Sequence, residues 1–293
     1  MQFPSNANLP FFAYGAFRQG ELAFLRIRSF VAQVNKSASV YGEMRVRDGL
    51  LLLSQHQSKT ANGHLFHFRP SHCGSAYAAI ADLEPERQYE WSTQQVTCSG
   101  GPFEANVLIG KDFTNGSSIP DRDITNNDDP FFREALDIVH TFITRFSSKE
   151  ALGGNSADLT NLLHLQMAYM LLWSSIERYV TLRYSLGDQV TSKVLSMATE
   201  PAFQSALQKH VTRTASLFAA NEPTDKRKKV LNSQSPKRSL EYYYQVRCNI
   251  THRGKGAHDD FDRLLSSLVE LSSIYRECLD AAFKEAAAPL PAQ

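Results

Sequence analysis

The sequence predicts an α+β protein: an N-terminal half built on a mostly antiparallel sheet or barrel, then an all-helical half. Three observations lead there. Between Phe11 and Phe113, short apolar runs are separated by Gly, Asp and Asn, the pattern of strands and turns. From Phe131 to Ala287, apolar residues recur at spacings of three and four, the period of amphipathic helices. Between the halves, Thr114–Pro130 is dominated by Asn, Gly, Ser, Pro and Asp and reads as a linker.

Taken in order, strands are expected at Leu9–Tyr14 before Gly15, Val40–Tyr41 before Gly42, Leu50–Leu53, His64–Phe68 and Glu104–Ile109. Leu22–Val34 and Ala76–Leu83 read as short helices. Beyond the linker, helices are expected over Phe131–Phe146, Leu159–Leu186, Val190–Met197, Pro201–Phe218, Ser239–Ile250 and Asp260–Ala287. Asp158 and Asp260 suit helix starts; Gly187 and Gly254 suit helix ends. Asn221–Pro236 reads as a basic polar loop, and the residues after Ala287 (288–293) as a disordered tail. The domains are therefore 1–113, a linker 114–130, and 131–287.

A chain of 293 residues, 42% of them hydrophobic, is long enough for two domains with real cores. No apolar run approaches the ~20 residues that span a bilayer, and Met1–Pro10 lacks a basic region followed by an apolar core, so neither membrane anchor nor secretory leader is expected. The four cysteines, Cys73, Cys98, Cys248 and Cys278, have no CxxC spacing, which points to a reducing cytoplasm rather than a disulfide framework or zinc site. On a strand His64 and His67 face opposite sides, so they do not form a metal pair, and no cofactor is expected. The net charge of +1 hides an excess of Lys and Arg between Lys209 and Lys255 that would attract a polyanion.

The segment richest in chemistry is Tyr242-Tyr243-Tyr244-Gln245-Val246-Arg247-Cys248-Asn249-Ile250-Thr251-His252-Arg253-Gly254-Lys255. A guanidinium holds a phosphate in a fork of donors, and an imidazole moves protons near neutral pH. Positions five apart on a straight helix point about 140° away from each other. Arg247 and His252 would share a face only if the helix ended between them, and Gly254 and Gly256 make an end near His252 plausible. A His at a helix C-terminus holds its proton more tightly against the negative end of the macrodipole, which suits a general acid. The adjacent tyrosines offer rings on which bases can stack, though three consecutive helical residues cannot all face one way.

This stretch resembles the Arg-x4-His signature of the HEPN superfamily, an all-helical group that includes many metal-independent ribonucleases. The helix containing Met170–Tyr179 resembles the family's long helix, on which an acidic residue faces the cleft. The resemblance covers roughly Phe131–Phe283. It implies Arg247 and His252 as catalytic residues, Glu177 as a supporting one, Arg253 and Lys255 as RNA contacts, and a homodimer that builds one cleft from two motifs. Cys248 stands where the family usually has Asn or another polar residue, and Asn249 follows as a supporting candidate.

In the N-terminal half, Leu9–Gly20 reads as a strand entering a Gly-containing loop that can point N–H groups at an anion. Ile80-Ala81-Asp82-Leu83-Glu84-Pro85-Glu86-Arg87-Gln88-Tyr89 then places a carboxylate after a small helix. Together with Val40–Met44 and Asp48-Gly49-Leu50, these resemble the gamma-glutamylcyclotransferase-like (AIG2-like) fold over Phe11–Phe113. The resemblance implies that Tyr14, Gly15, Ala16, Phe17 and Tyr89 form a pocket for a small gamma-glutamyl-like ligand, with Glu84 as the acid/base. Ala16 stands where the family has Thr or Ser, and Pro85 where it has Gly.

The two resemblances together imply a cytoplasmic, homodimeric endoribonuclease acting on RNA such as tRNA, a toxin or phage-defence effector with a sensing or modifying N-terminal domain. The alternatives are an enzyme of gamma-glutamyl amines whose helical half only dimerises, and an inactive nucleotide- or RNA-binding protein.

Overall fold

The computed structural model describes residues 1–47, 50–111, 117–118, 130–147, 159–185, 189–218, 228–253 and 261–290. The chain partitions into two compact units. The first comprises Met1–Asp128, Leu182–Gly187 and Ala282–Gln293; the second comprises Asp129–Thr181 and Asp188–Ala281. Among the described residues no helix is long and apolar enough to cross a membrane.

The first unit carries β1 (Phe11–Ala13), α1 (Phe24–Ile27), β2 (Val31–Tyr41), β3 (Glu43–Arg47), β4 (Leu50–Ser54), β5 (Thr60–Phe68), α2 (Cys73–Leu83), β6 (Tyr89–Cys98), β7 (Gly101–Gly110) and β8 (Ser117–Ser118). Five strands close a barrel in the order β1-β5-β2-β6-β7. All pairings are antiparallel except β1 with β7, which is parallel and completes the circle. Two register shifts in the β2–β5 ladder, at Val31/Gln33 and Asn35/Ala38, supply the local bend that closure needs. β4, β3 and β8 form a small separate sheet. The core of this unit holds Phe11, Phe12, Phe24, Leu65, Phe66, Tyr77, Val96 and Val107, all nearly inaccessible; strand neighbours such as Phe11 and Phe12 point to opposite faces of the barrel wall, so both faces are covered. Gly63 is demanded by a close approach: a Cβ there would stand 2.4 Å from the Ala13 carbonyl oxygen on β1.

Leu22–Val34 is not one helix. It holds the single turn α1, a 3-10 turn at Arg28–Phe30, and the start of β2 at Val31. Helix-like spacing of Leu22, Phe24, Leu25 and Ile27 masked the switch, and β-branched Val31 and Val34 then favour the ladder with β5. Ser117–Ser118, inside the expected linker, pair with Val46 and Arg45 as β8. The first residues of the expected disordered tail are held. Ala288 O accepts a bond from Gln19 Nε2 (2.9 Å), Pro289 O accepts one from Arg28 Nη2 (2.9 Å), and Leu290 packs on the barrel core. Just before them, Ala286 O accepts the N–H of Gly20, whose φ of 105° suits only glycine without strain.

The second unit carries α3 (Pro130–Ser147), α4 (Leu159–Arg183) as far as Thr181, α5 (Val190–Met197), α6 (Pro201–His210), β9 (Ala215–Leu217), β10 (Lys229–Leu231), α7 (Pro236–Arg253) and α8 (Phe261–Ala287) as far as Ala281; the last residues of α4 and α8 count with the first unit. Trp173, Tyr169 and Tyr179 of α4, Tyr242 and Tyr243 of α7 and Tyr275 of α8 are its largest buried side chains. The hydroxyls of Tyr169, Tyr179, Tyr243 and Tyr275 are bonded inside the core, as burial favours, whereas Trp173 Nε1 and Tyr242 Oη are buried without a hydrogen-bond partner among the described residues. Tyr179 Oη donates to Glu200, Tyr275 Oη to Ser175 O, and Tyr243 Oη to Glu270 Oε2 at 2.9 Å. The expected helix Pro201–Phe218 stops at His210, where the run Val211-Thr212-Arg213-Thr214 favours extended backbone. β9 follows and pairs with β10, itself inside the expected polar loop. Asp158, Asp260, Gly187 and Gly254, expected to delimit helices, lie outside the described residues.

Candidate functional sites

In the barrel unit the sequence assembles a carboxylate site at the C-terminal end of α2. Pro85 disfavours helical backbone at the residue before it. Glu84 accordingly leaves the helix with φ −85° and ψ 124°, its own N–H still bonded to Ile80 O. Part of Glu84 stays open to solvent, yet burial of its carboxyl pushes the pKa up to about 7, with Arg26 pulling the other way. Two tyrosines lie within reach of its charge. Tyr14, just past β1, donates to Leu108 O at 2.8 Å, and Tyr89, at the start of β6, donates to Leu51 O at 2.7 Å. Burial raises the pKa of both phenols, and each also feels the Glu84 charge. A carboxyl half-protonated near neutral pH is suited to accept and return a proton.

Of the other expected pocket residues, Phe17 is buried with its ring edge-on to Phe11 at 6.0 Å, and Ala16 is half-buried against the core. Phe17 thus serves the barrel core, because an aromatic ring on this loop gains more from Phe11 than from solvent. Gly15 accepts the N–H of Arg18 in a tight turn. Sequence reasoning missed Arg26, 58 positions before Glu84 and inside an apparent helix. A cavity of about 280 Å³ lies elsewhere on this unit, lined by Phe3, Glu86, Tyr89, Trp91, Asn106 and Lys111 among others; it borders Tyr89 but not Glu84. His64 is structural: its Nδ1 accepts the Gln19 N–H at 2.9 Å, and burial, with Arg18 and Lys36 nearby, lowers its pKa to about 4.

In the helical unit, α7 runs unbroken to Arg253, so it does not end between Arg247 and His252 as a shared face within one chain would need. Arg247 is brought to Glu177 of α4, with Nη2 3.2 Å from Oε1 and both side chains partly exposed. The Arg247 guanidinium lies 5.8 Å from the Tyr244 ring centroid, and Tyr244 in turn packs edge-on to Trp173 at 5.4 Å. The Arg247–Tyr244 contact adds a cation–π attraction to the ion pair. The side chains of His252 and Arg253 lie outside the described residues, as does Lys255.

Asn249 donates to Phe218 O at 3.1 Å, which ties α7 to the residue after β9, and accepts from Gln245 at 2.9 Å within α7 itself. Burial raises the Cys248 thiol, despite the neighbouring Arg247, which keeps it protonated and unsuited to nucleophilic work. Tyr242 and Tyr243 are core residues, which removes them as stacking platforms; Tyr244 alone of the three keeps some surface. The cation excess also shrinks on folding. Lys209 pairs with Glu277 and Arg213 with Glu270, both on α8, while Lys229 pairs with Glu241.

Comparison with family models, with curated proteins and with solved structures returned no match to this chain.

Proposed function

We propose that the helical unit is a metal-independent endoribonuclease of the HEPN type that works as a homodimer on RNA, in the manner of a toxin or phage-defence effector. The single observation supporting this reading is the Arg247–Glu177 pair, which joins the two helices carrying the expected motif residues at a partly exposed position. Arg247, oriented by Glu177 and by the Tyr244 ring, would hold the scissile phosphate and offset its growing charge. His252 would take the proton of the ribose 2′-hydroxyl as that oxygen attacks phosphorus, or deliver a proton to the departing 5′-oxygen. The two positions are about 140° apart around α7, so the reading takes Arg247 of one copy with His252 of the other. Labelled total RNA and tRNA, incubated with EDTA, are expected to be cut by wild type. Cleavage is expected to fall at least about a hundredfold in Arg247→Ala/His252→Ala protein. No cutting by well-folded dimer sinks the proposal.

A second reading is supported by the environment of Glu84: the barrel unit is a cyclotransferase acting on gamma-glutamyl amines. The substrate's own amine nitrogen would attack its gamma-carbonyl carbon, closing 5-oxoproline and breaking the bond to the leaving amine. Glu84 would remove the proton from the attacking nitrogen and return it to the leaving one, a task matched to a pKa of about 7. Release of 5-oxoproline from gamma-glutamyl amines, abolished in Glu84→Gln, is the expected result. Turnover that survives Glu84→Gln rules this reading out.

A further inference from the structure

The residues after α8 are held by donors from the loop after β1 and from the turn after α1. Gly20 N–H donates to Ala286 O at 3.1 Å, Gln19 Nε2 to Ala288 O at 2.9 Å and Arg28 Nη2 to Pro289 O at 2.9 Å. Leu290 then packs on the barrel core. Pro289 prevents further helix, because it has no N–H and biases Ala288 toward extended backbone. Backbone carbonyls read in succession, with an apolar side chain as anchor, are the marks of extended-peptide recognition. A segment can be tied down this way for stability alone, but this strap leaves polar groups of its groove unanswered. Gln19 is only 6% exposed, and among the described residues neither its buried Oε1 nor the buried Nε of Arg28 has a hydrogen-bond partner. The strap has no N–H to give Oε1: Ala288 donates its own to Glu285 O at 3.2 Å, and Pro289 has none. Among the described residues Arg28 meets no carboxylate either; its guanidinium is answered by a neutral carbonyl.

We propose that Gln19, Gly20 and Arg28 form a docking groove for an extended acidic peptide of a partner protein, and that residues 288–290 cover it in the free chain. A peptide with aspartate in the place of Pro289 supplies both groups that the strap lacks, an N–H for Gln19 Oε1 and a carboxylate for Arg28. An apolar residue after it takes the place of Leu290. Gln19 stays in position when the strap leaves, because its own N–H donates to His64 Nδ1 on β5 at 2.9 Å. The strap is tethered, so a free peptide competes against an effective concentration of about a millimolar. The inference stands apart from both readings of function.

The experiment uses dye-labelled synthetic peptides spanning residues 285–293, one of the chain's own sequence and one carrying Pro289→Asp, titrated with the full chain and followed by fluorescence anisotropy. In the protein, Leu290→Gly removes the anchor of the strap. The Pro289→Asp peptide is expected to bind this variant at least about tenfold more tightly than it binds wild type, since the tethered competitor is weakened. It is also expected to bind the variant about tenfold more tightly than the unaltered peptide does. Adding Arg28→Met to the variant removes most of that preference, and adding Gln19→Leu weakens both peptides. The proposal is overturned if neither peptide binds, if the two bind alike, if wild type and Leu290→Gly bind alike, or if the preference survives Arg28→Met. Should Leu290→Gly fail to fold, hydrogen exchange in wild type decides: saturating Pro289→Asp peptide must speed exchange of the Leu290 N–H, and unchanged exchange overturns the proposal.

Discussion

Glu84→Gln is expected to stabilise the protein at pH 8 by about 3 kcal/mol and to leave its stability at pH 4 unchanged. The folded-state pKa of about 7 lies above the unfolded value, for which 4.5 is the reference. Between those values the folded state binds more protons than the unfolded one, so stability falls as pH rises through this window. Below pH 4.5 both states are protonated and nothing is lost. Above pH 7 both are ionised, and the cost of ionising a buried carboxyl is fully present. Glutamine keeps the shape and never ionises. Denaturant titrations of both proteins at pH 4 and pH 8, followed on the barrel transition, measure the difference directly. Equal stabilities at pH 8 would mean that Glu84 meets water or a partner that relieves its burial.

Glu270→Ala is expected to cost about 3 kcal/mol in the helical unit, and Tyr243→Phe only about 1 kcal/mol. Glu270 accepts from Arg213 Nε at 2.7 Å and Nη2 at 3.0 Å as well as from Tyr243 Oη. Its removal leaves a guanidinium without its counter-charge and a buried hydroxyl without an acceptor. Removing the Tyr243 hydroxyl leaves the ion pair intact. The Glu270 figure sits at the low end of the range for broken buried pairs because Arg213 keeps 30% of its side chain exposed. Chemical unfolding of both variants gives the ranking; a Tyr243→Phe cost equal to that of Glu270→Ala would show that the Tyr243 hydroxyl, not the ion pair with Arg213, carries the contribution of Glu270.

The helical half was legible because its signal is local. Val190–Met197 was read to the residue, and Phe131–Phe146 emerges as Pro130–Ser147, since spacings of three and four need no distant partner. The barrel was harder. β6 (Tyr89–Cys98) went unseen: its sequence, Tyr-Glu-Trp-Ser-Thr-Gln-Gln-Val-Thr-Cys, shows little alternation, and its pairing with β7 supplies what its side chains do not declare. Glu84 stands out as a candidate in the sequence because a short apolar helix before it and Tyr89 after it frame it within a few residues. Arg26 does not, since its relation to Asp82 exists only once α2 is folded against it. The same holds for Lys209 and Arg213, whose acidic partners lie on a helix more than fifty residues on.

The bonds from Gly20, Gln19 and Arg28 to the carbonyls of Ala286, Ala288 and Pro289 have a kinetic side. The barrel strands are synthesised within the first 110 residues, but three of the acceptors that finish their unit arrive only with residues 286–289. At ~5–20 residues per second of synthesis, the remaining stretch takes on the order of ten to forty seconds to appear. During that interval the barrel exists without its last strap, and the loop that holds Arg18 and Gln19 relies on its own turn, on the Gln19 N–H bond to His64 and on the packing of Phe17 against Phe11. Completion of the barrel unit therefore waits on residues 286–289, synthesised long after its strands.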